Sequence, residues 1–265
     1  DEFLLAGGVS LGFSRPGHDE QNVTTIAFFG HGNIALGDRL TASVGARWSR
    51  DDKDFFRVSE TAFGGFVTET FTFDESEAWS AFTPSFALTY ELSEQHTMFA
   101  RIARGFRSGG FNGRLFSDAD AQNFSPEFVW SYEAGLKGTS ADSRIRYGLN
   151  GFFNNYTDYQ ARIAVAVDSS DPAAGFNFPT VNAAKLEIYG VEFDVAADLG
   201  ALSLWANVGL LNASYKEFID ARGDKTDEEP IRSPGATLNA GFSYSWALRG
   251  GGALRLASDV RYISS

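Results

Sequence analysis

The chain has 265 residues and a formal net charge of −12, with 28 glycines, 25 Phe, 9 Tyr and 5 Trp but no cysteine. The absence of cysteine excludes disulfides and thiolate metal sites, and the acidic balance argues against binding to duplex nucleic acid, which needs a basic face. The chain is 43% hydrophobic, which argues against disorder, yet no segment has the ~18 consecutive apolar residues of a membrane helix.

Apolar residues recur at every second position along most of the chain, which is the period of a half-buried β-strand. The clearest example runs from Ala236 to Leu248, where even positions are apolar and odd positions are small or polar. In chain order the predicted strands cover residues 2–14, 23–36, 40–48, 82–90, 97–106, 128–136, 145–153, 189–195, 202–210, 236–248 and 254–262. We therefore predict an all-β fold of about eleven strands.

The predicted connections alternate between short and long. The short ones lie near residues 37–38, 93–95, 139–142, 199–200 and 249–251, and the long ones near 15–22, 51–78, 107–126, 168–179 and 218–233. This alternation is typical of an antiparallel up-and-down sheet with tight turns at one end and large loops at the other. Outer-membrane barrels have this layout, and strands of ten or more residues match the ~9–11 needed to cross the hydrocarbon when tilted.

Alternation alone does not say which face of the sheet meets water. A soluble β-sandwich buries its apolar face, whereas a membrane barrel turns that face to lipid. Three features favour the membrane: the apolar face is very large with no helix to cover it, aromatic residues such as Trp48, Tyr90 and Trp246 gather near strand ends, and the opposite face is rich in Gly, Ser, Asn and charges. The soluble β-sandwich binding module stays open as an alternative.

One segment resembles a known family. Residues 103–112 read Ala-Arg-Gly-Phe-Arg-Ser-Gly-Gly-Phe-Asn. They closely resemble the barrel of TonB-dependent outer-membrane receptors, where "SRGFKSGGFN" is common at the end of a strand that enters an external loop. Further matches follow in family order at residues 125–137, 152–160, 182–192 and 233–234. The residues that carry the central motif are Arg104, Gly105, Phe106, Gly109, Gly110 and Asn112.

Several residues in these motifs also have a direct physical interpretation. Gly109 and Gly110 permit backbone conformations that are closed to other residues where the chain leaves a strand. Arg104 and Arg107 are expected to be wall or loop-base charges with acidic partners. Gly190 marks a place where a side chain would crowd a neighbour or bend the strand.

The resemblance implies an architecture larger than this chain. Family members look like barrels of roughly 22 antiparallel strands with an N-terminal plug domain and an energy-coupling box, neither of which is visible here. We therefore expect residues 1–265 to be a partial barrel domain, placed at about strands nine to nineteen of the whole. The same resemblance implies the outer membrane of a Gram-negative bacterium as the location.

The resemblance also implies a function, which is energy-coupled uptake of a scarce, bulky solute. The expected solute is a ferric siderophore, with haem, cobalamin or glycans as other options. Expected partners are the plug domain, a TonB-type inner-membrane energy-coupling complex acting through the plug, and outer-membrane lipid and lipopolysaccharide, but no nucleic acid. A passive porin-like channel is the alternative from another functional class.

No sequence motif points to catalysis. The chain has no Gly-rich phosphate loop, no His-Glu-x-x-His and no Gly-x-Ser-x-Gly, so we expect a transporter and not an enzyme, without catalytic residues, metal site or cofactor. We expect ligand contacts from aromatic and Arg side chains of the external loops. The candidates are Arg57, Phe63, Phe66, Phe111, Arg114, Phe116, Tyr156 and Arg162.

Overall fold

The computed structural model describes residues 2–4, 10–14, 16–113, 123–166, 176–220 and 223–264, and the regular elements within these ranges are β-strands. In this described part, no helix is long and apolar enough to cross a membrane. The all-β prediction is therefore confirmed.

The strands fall into a long and a short group. The long strands are β3 (Gly17–Ala35), β4 (Leu40–Phe63), β5 (Phe66–Ser93), β6 (His96–Arg107), β9 (Glu127–Thr139), β10 (Ile145–Arg162), β13 (Thr180–Asp198), β14 (Leu202–Asp220), β16 (Ala236–Ala247) and β17 (Ala253–Ile263). The short ones are β1 (Glu2–Leu4), β2 (Ser10–Ser14), β7 (Gly110–Phe111), β8 (Asn123–Phe124), β11 (Val165–Ala166), β12 (Phe176–Asn177) and β15 (Gly223–Asp224).

One large antiparallel sheet contains the long strands in chain order. Its order is β1-β2-β4-β5-β6-β9-β10-β13-β14-β16-β17, and β3 also pairs with β4 while β15 pairs with β14. The predicted short connections are tight turns at one end, which we call the short-turn end, and the opposite end is the long-loop end. The up-and-down sheet is therefore confirmed, and each of the eleven predicted segments lies on strands of this sheet within the described residues.

The predicted long loop at residues 15–22 is wrong. Strand β3 begins at Gly17, and both β2 and β3 pair with β4, as the register pairs Phe13↔Phe63 and Gly17↔Ser59 show. The chain therefore continues along the same partner strand instead of crossing to a new one. Residues 17–22 are polar on both faces, so they lack the apolar alternation on which the strand prediction depends, although their backbone groups still pair.

The predicted connection at residues 51–78 is a hairpin and not an irregular loop. Strand β4 runs on to Phe63 and β5 starts at Phe66, so the acidic runs 51–54 and 74–77 lie on paired strands. Between them Gly64 and Gly65 have φ values of 58° and 85°, as a tight primed turn requires. The hairpin therefore extends the sheet well beyond the segment that alternation predicts.

The two faces of the sheet differ in character. Large side chains of the apolar face, such as Phe82, Leu149 and Val191, are exposed, whereas Ser49 and Asp51 on the polar face are buried. A soluble sandwich would bury the apolar face as its core. The observed arrangement is instead the one expected of a wall that turns its apolar face to lipid.

On the polar face, an aromatic ring packs over a glycine of the neighbouring strand. Phe152 on β10 is the register partner of Gly190 on β13, and a Cβ at Gly190 would lie 2.8 Å from Cζ of Phe152. The predicted crowding at Gly190 is thus confirmed. Such aromatic–glycine pairs are one of the devices that stabilise curved sheets.

Candidate functional site

The candidate site lies at the long-loop end, where the loop after β6 folds back onto the polar face. Phe111 of this loop stacks on Phe55 with ring centroids 5.5 Å apart, and it meets Phe73 and Trp79 edge-on at 6.1 and 5.7 Å. We call Phe55, Phe73, Trp79 and Phe111 the aromatic cluster. Phe55, Phe73 and Trp79 project from β4 and β5 at alternate positions, so the strand period itself places them on one face.

Lys53 fixes the start of the same loop. Its Nζ donates to the carbonyl oxygen of Gly109 over 2.6 Å and lies 5.5 Å from the ring centre of Trp79. Burial lowers the pKa of the Lys53 ammonium, and nearby Asp51 opposes that shift. The side chain thus contributes both a hydrogen bond and a cation–π contact to the loop.

Lack of space, and not an unusual backbone conformation, explains the Gly-Gly pair. Neither Gly109 nor Gly110 has a positive φ, so the expectation about their backbone conformation is wrong. A Cβ at Gly109 would lie 2.6 Å from Nε1 of Trp79, and one at Gly110 would lie 2.9 Å from Cζ of Phe124. The motif requires glycine because the loop passes so close to these rings and, at Gly109, to the backbone carbonyl oxygen of Phe124.

Arg57 holds the loop at a third point. Its Nη1 donates to the carbonyl oxygen of Gly113 over 2.7 Å and pairs with Asp19 over 3.2 Å, and the side chain is buried. Arg57 and Phe111 were predicted as ligand contacts. In the structure the guanidinium of Arg57 and the ring of Phe111 have partners within the wall.

Amide side chains tie the loop to the other side of the sheet. Asn112 donates from Nδ2 to the carbonyl oxygen of Thr180 over 3.1 Å, and the Thr180 amide donates back to Asn112 Oδ1 over 2.8 Å. Gln160 on β10 donates from Nε2 to the carbonyl oxygens of Ser108 and Ser125 over 2.9 and 3.0 Å. The bonds from Gln160 satisfy the carbonyl groups of Ser108 and Ser125, which lie outside the strands, and those of Asn112 attach the loop to the first residue of β13.

Together these contacts reveal the curvature of the sheet. Phe111 touches β4 and the next residue, Asn112, bonds to β13, although β5, β6, β9 and β10 lie between those strands in the sheet. In a flat sheet, β4 and β13 would be roughly 24 Å apart, whereas the Cα atoms of the consecutive residues Phe111 and Asn112 are separated by about 3.8 Å. The sheet therefore curls around the loop, and the polar face is the concave, inner face.

The two motif arginines lie on opposite faces. Arg107 has an acidic partner, since its Nη1 is 4.0 Å from Glu127 on the inner face, as expected. For Arg104 the expectation is wrong: no acidic partner is found within the described residues. Its odd spacing from Arg107 turns it to the outer face, where its guanidinium carbon lies 4.0 Å from the ring centre of Phe128.

The remaining predicted contacts are spread along the rim. Phe63 and Phe66 face each other at the exposed tip of the β4–β5 hairpin, and Arg162 is exposed at the end of β10. Tyr156 is half-buried on the inner face, apart from the aromatic cluster. Arg114 and Phe116 lie outside the described residues. Of the predicted contacts that the structure describes, Arg57 and Phe111 are the ones that lie with the motif.

Spacing alone missed a second aromatic group on the inner face. Tyr159 lies 5.9 Å from Tyr156 and 6.2 Å from Tyr215, whose ring is 4.7 Å from that of Phe218. Burial raises the pKa of the Tyr159 phenol, which keeps it protonated. Within the described part of the chain, no group of His, Cys, Asp or Glu residues is arranged to hold a metal ion.

Comparison with known proteins gives one consistent result. The family model described as "TonB dependent receptor-like, beta-barrel" matches residues 6–265. Among curated relatives, the ferric-pyoverdine receptor PbuA of Pseudomonas sp. is 25% identical over 80% of this chain and 24% of its own length. The vitamin B12 transporter BtuB of Photobacterium profundum is 24% identical over 77% of this chain and 32% of its own length.

Among solved structures, the ferric yersiniabactin uptake receptor FyuA from Yersinia pestis has a similar fold. It superposes with a TM-score of 0.74 at 18% identity, over 95% of this chain and 35% of FyuA. The chain thus spans about a quarter to a third of the length of the curated relatives it matches.

Proposed function

Because the chain belongs to the TonB-dependent receptor-like β-barrel family, we propose that it forms part of the wall of an outer-membrane receptor for energy-coupled uptake of a bulky, scarce solute. The observation that carries this proposal is the curled sheet, with its apolar face exposed and its polar face wrapped around the 107–113 loop. A barrel wall has these properties when lipid lies outside and a hydrated interior lies within.

A ferric siderophore is the proposed solute. Two of the similar proteins are named as receptors for ferric pyoverdine and ferric yersiniabactin, which supports a ferric chelate. A third is named as a vitamin B12 transporter, which supports a cobalamin as the second candidate. Both are large and scarce, and both suit a rim that offers rings and cations.

The exposed rim residues are the proposed ligand contacts. Phe63 and Phe66 at the hairpin tip and Arg162 at the end of β10 are exposed, and Tyr156 is half-exposed on the inner face. Aromatic rings supply apolar contact area and Arg supplies charge-assisted hydrogen bonds to an anionic chelate. Arg114 and Phe116 remain candidates by the same chemistry.

The inner wall is the proposed seat of the plug domain. Glu192, Asp194, Asn207, Asn239 and Arg261 line an open polar groove on the inner face of β13, β14, β16 and β17. These groups can exchange hydrogen bonds with a plug that a TonB-type complex then displaces. The wall binds and releases without making or breaking bonds, so we propose a transporter and no enzymatic activity.

Uptake of radiolabelled ferric siderophores tests this proposal. Cells that produce the full-length protein should accumulate label only while the inner-membrane coupling complex is active. Accumulation that continues after loss of that complex would instead indicate the passive channel. Absence of uptake for every ferric chelate, with uptake of labelled cobalamin, would favour the second solute.

A further inference from the structure

Aromatic side chains form a row on the outer face near the long-loop end. Phe28, Trp48 and Phe82 are register partners across β3, β4 and β5, and Phe106 and Phe128 are partners across β6 and β9. Continuing the β5–β6 register beyond its last pair, Ser85↔Ala103, places Phe82 level with Phe106. Rings in such a row occupy the boundary between hydrocarbon and polar headgroups.

Arg104 lies one step below this row on the same outer face. Its register partner is Trp130, which is two residues closer to the short-turn end than Phe128 on the next strand. The guanidinium carbon nevertheless stands 4.0 Å from the ring centre of Phe128, so the side chain bends toward the long-loop end. A cation on an apolar surface bends in this way to bring its charge to the polar boundary.

Arg104 makes few hydrogen bonds with the residues that the structure describes. Its Nη1 donates to the carbonyl oxygen of Phe82 over 3.3 Å, at the point where β5 and β6 separate. Its Nε is buried and has no hydrogen-bond partner among the described residues. A guanidinium carries five N–H donors, so donors remain for a further acceptor.

Among the residues that the structure describes, no side chain supplies a negative charge to Arg104. The outer-face neighbours of Arg104 on β5 and β9 are Phe82, Pro84, Phe128 and Trp130, and none of them is acidic. Two other arginines of the sheet differ in this respect, because Arg50 pairs with Asp52 over 2.8 Å and Arg101 pairs with Glu133 over 3.5 Å. Arg104 is thus a cation set among aromatic rings without an acidic partner in the described part.

We infer that Arg104, framed by Phe128 and Trp130, binds the phosphate of an outer-leaflet lipid. At the level of the aromatic row the abundant anions are lipid phosphates, whose oxygens accept charge-assisted bonds from a guanidinium. The rings beside it pack against the upper acyl carbons of the same lipid. The inference rests on the membrane location in the proposed function but not on the identity of the solute.

Native mass spectrometry of the full-length protein in a mild non-ionic detergent tests this site. The lipid probes are phosphatidylglycerol, lipopolysaccharide and diacylglycerol, and the last of these lacks phosphate. The wild-type protein should retain the two phosphate-bearing lipids about tenfold more tightly than diacylglycerol, the effect of one charge-assisted contact. Arg104→Gln should lose this preference, Arg104→Lys should keep part of it, and Arg50→Gln should leave it unchanged.

Three results would overturn the inference. One is a wild-type protein that holds all three lipids equally, and another is a folded Arg104→Gln variant that keeps the preference. If that variant does not fold, the relative retention of the three lipids by the wild-type protein and by Arg104→Lys still tests the inference. The third is complete displacement of the lipid by inorganic phosphate at equal concentration, which would make this a site for free anions. Because lipid retention does not depend on the transported solute, each of these results leaves the proposed function untouched.

Discussion

Lys53 donates a hydrogen bond from Nζ to the carbonyl oxygen of Gly109 over 2.6 Å, so the inner face of β4 holds the loop that follows β6. The two residues are 56 positions apart in the chain. Through this contact and the bonds between Asn112 and Thr180, the loop connects β4 to β13 across the concave side of the sheet. The loop thereby couples the shape of the wall to the position of the rim.

The pH dependence of stability should report the burial of Lys53. Burial lowers its pKa in the folded protein, so the unfolded chain binds more protons as the pH rises toward the ordinary lysine value of about 10.4. Stability contributed by this group is therefore smallest below the folded pKa and increases as the pH passes through it. Urea unfolding of wild type and Lys53→Met between about pH 8 and 10 should show a difference that shifts in favour of wild type. A difference that does not change with pH would contradict the burial.

Gly109→Ala should strain the loop. The added Cβ would lie 2.6 Å from Nε1 of Trp79 and would also collide with the carbonyl oxygen of Phe124, and overpacking of this kind costs about 1–3 kcal/mol. The free energy of unfolding, measured in urea, should fall by that amount. Gly113→Ala is the matched control in the same loop, because no described residue has an atom within 4 Å of its Cβ position. Equal effects of the two substitutions would show that crowding by Trp79 and Phe124 is not the reason for the glycine.

Asn112→Ala should release the loop from β13. The substitution removes the reciprocal bonds with Thr180 and leaves the amide and carbonyl of Thr180 without these partners. The free energy of unfolding should fall by about 1–3 kcal/mol. Hydrogen exchange at the Thr180 amide, followed by mass spectrometry, should become faster. Asn33→Ala, which removes only an exposed bond from Ser43, should leave that exchange rate unchanged. Unaltered protection of Thr180 in Asn112→Ala would mean that the loop is held elsewhere.

Phe66→Ala tests the rim as a ligand-binding surface. Phe66 is 78% exposed, so its loss should cost little stability but should weaken solute binding by about fivefold or more, as for an aromatic contact residue. Equilibrium titration of the full-length protein with the transported ferric siderophore measures the affinity. Leu248→Ala, an exposed apolar residue at the short-turn end, is the control. Unchanged affinity in Phe66→Ala would remove the hairpin tip from the proposed binding surface.

Sequence reasoning was most successful where one face of a strand is apolar. The alternation from Ala236 to Leu248 predicts β16 almost residue for residue, and the turns beside it follow. It failed at residues 17–22 and 51–63, because strand pairing uses backbone groups and those segments carry polar side chains that alternation does not detect. The first and last residues of a strand are therefore harder to predict from sequence than its apolar, alternating part.

The site was only partly predictable for a different reason. The motif at 103–112 correctly located the loop, but its partners Lys53, Trp79 and Gln160 come from distant parts of the chain. Their contacts depend on sheet order and curvature, which no local pattern encodes. Because Arg104 and Arg107 are three residues apart on one strand, the sequence alone is enough to place them on opposite faces. That placement predicts that Arg104 lies on the apolar face, where it has no acidic partner among the described residues.

The central claim is that the apolar face meets lipid while the polar face lines a hydrated interior, and adjacent residues on β13 test it most directly. Val191 lies on the outer face and Glu192 on the inner face, and residues 1–265 contain no cysteine that would also be labelled. Spin labels attached to Val191→Cys and Glu192→Cys in the full-length protein, reconstituted in bilayers, report collisions with oxygen and with a water-soluble nickel chelate. We predict that oxygen relaxes the label at position 191 and the nickel chelate the label at position 192. Strong relaxation of both labels by the nickel chelate would contradict the account.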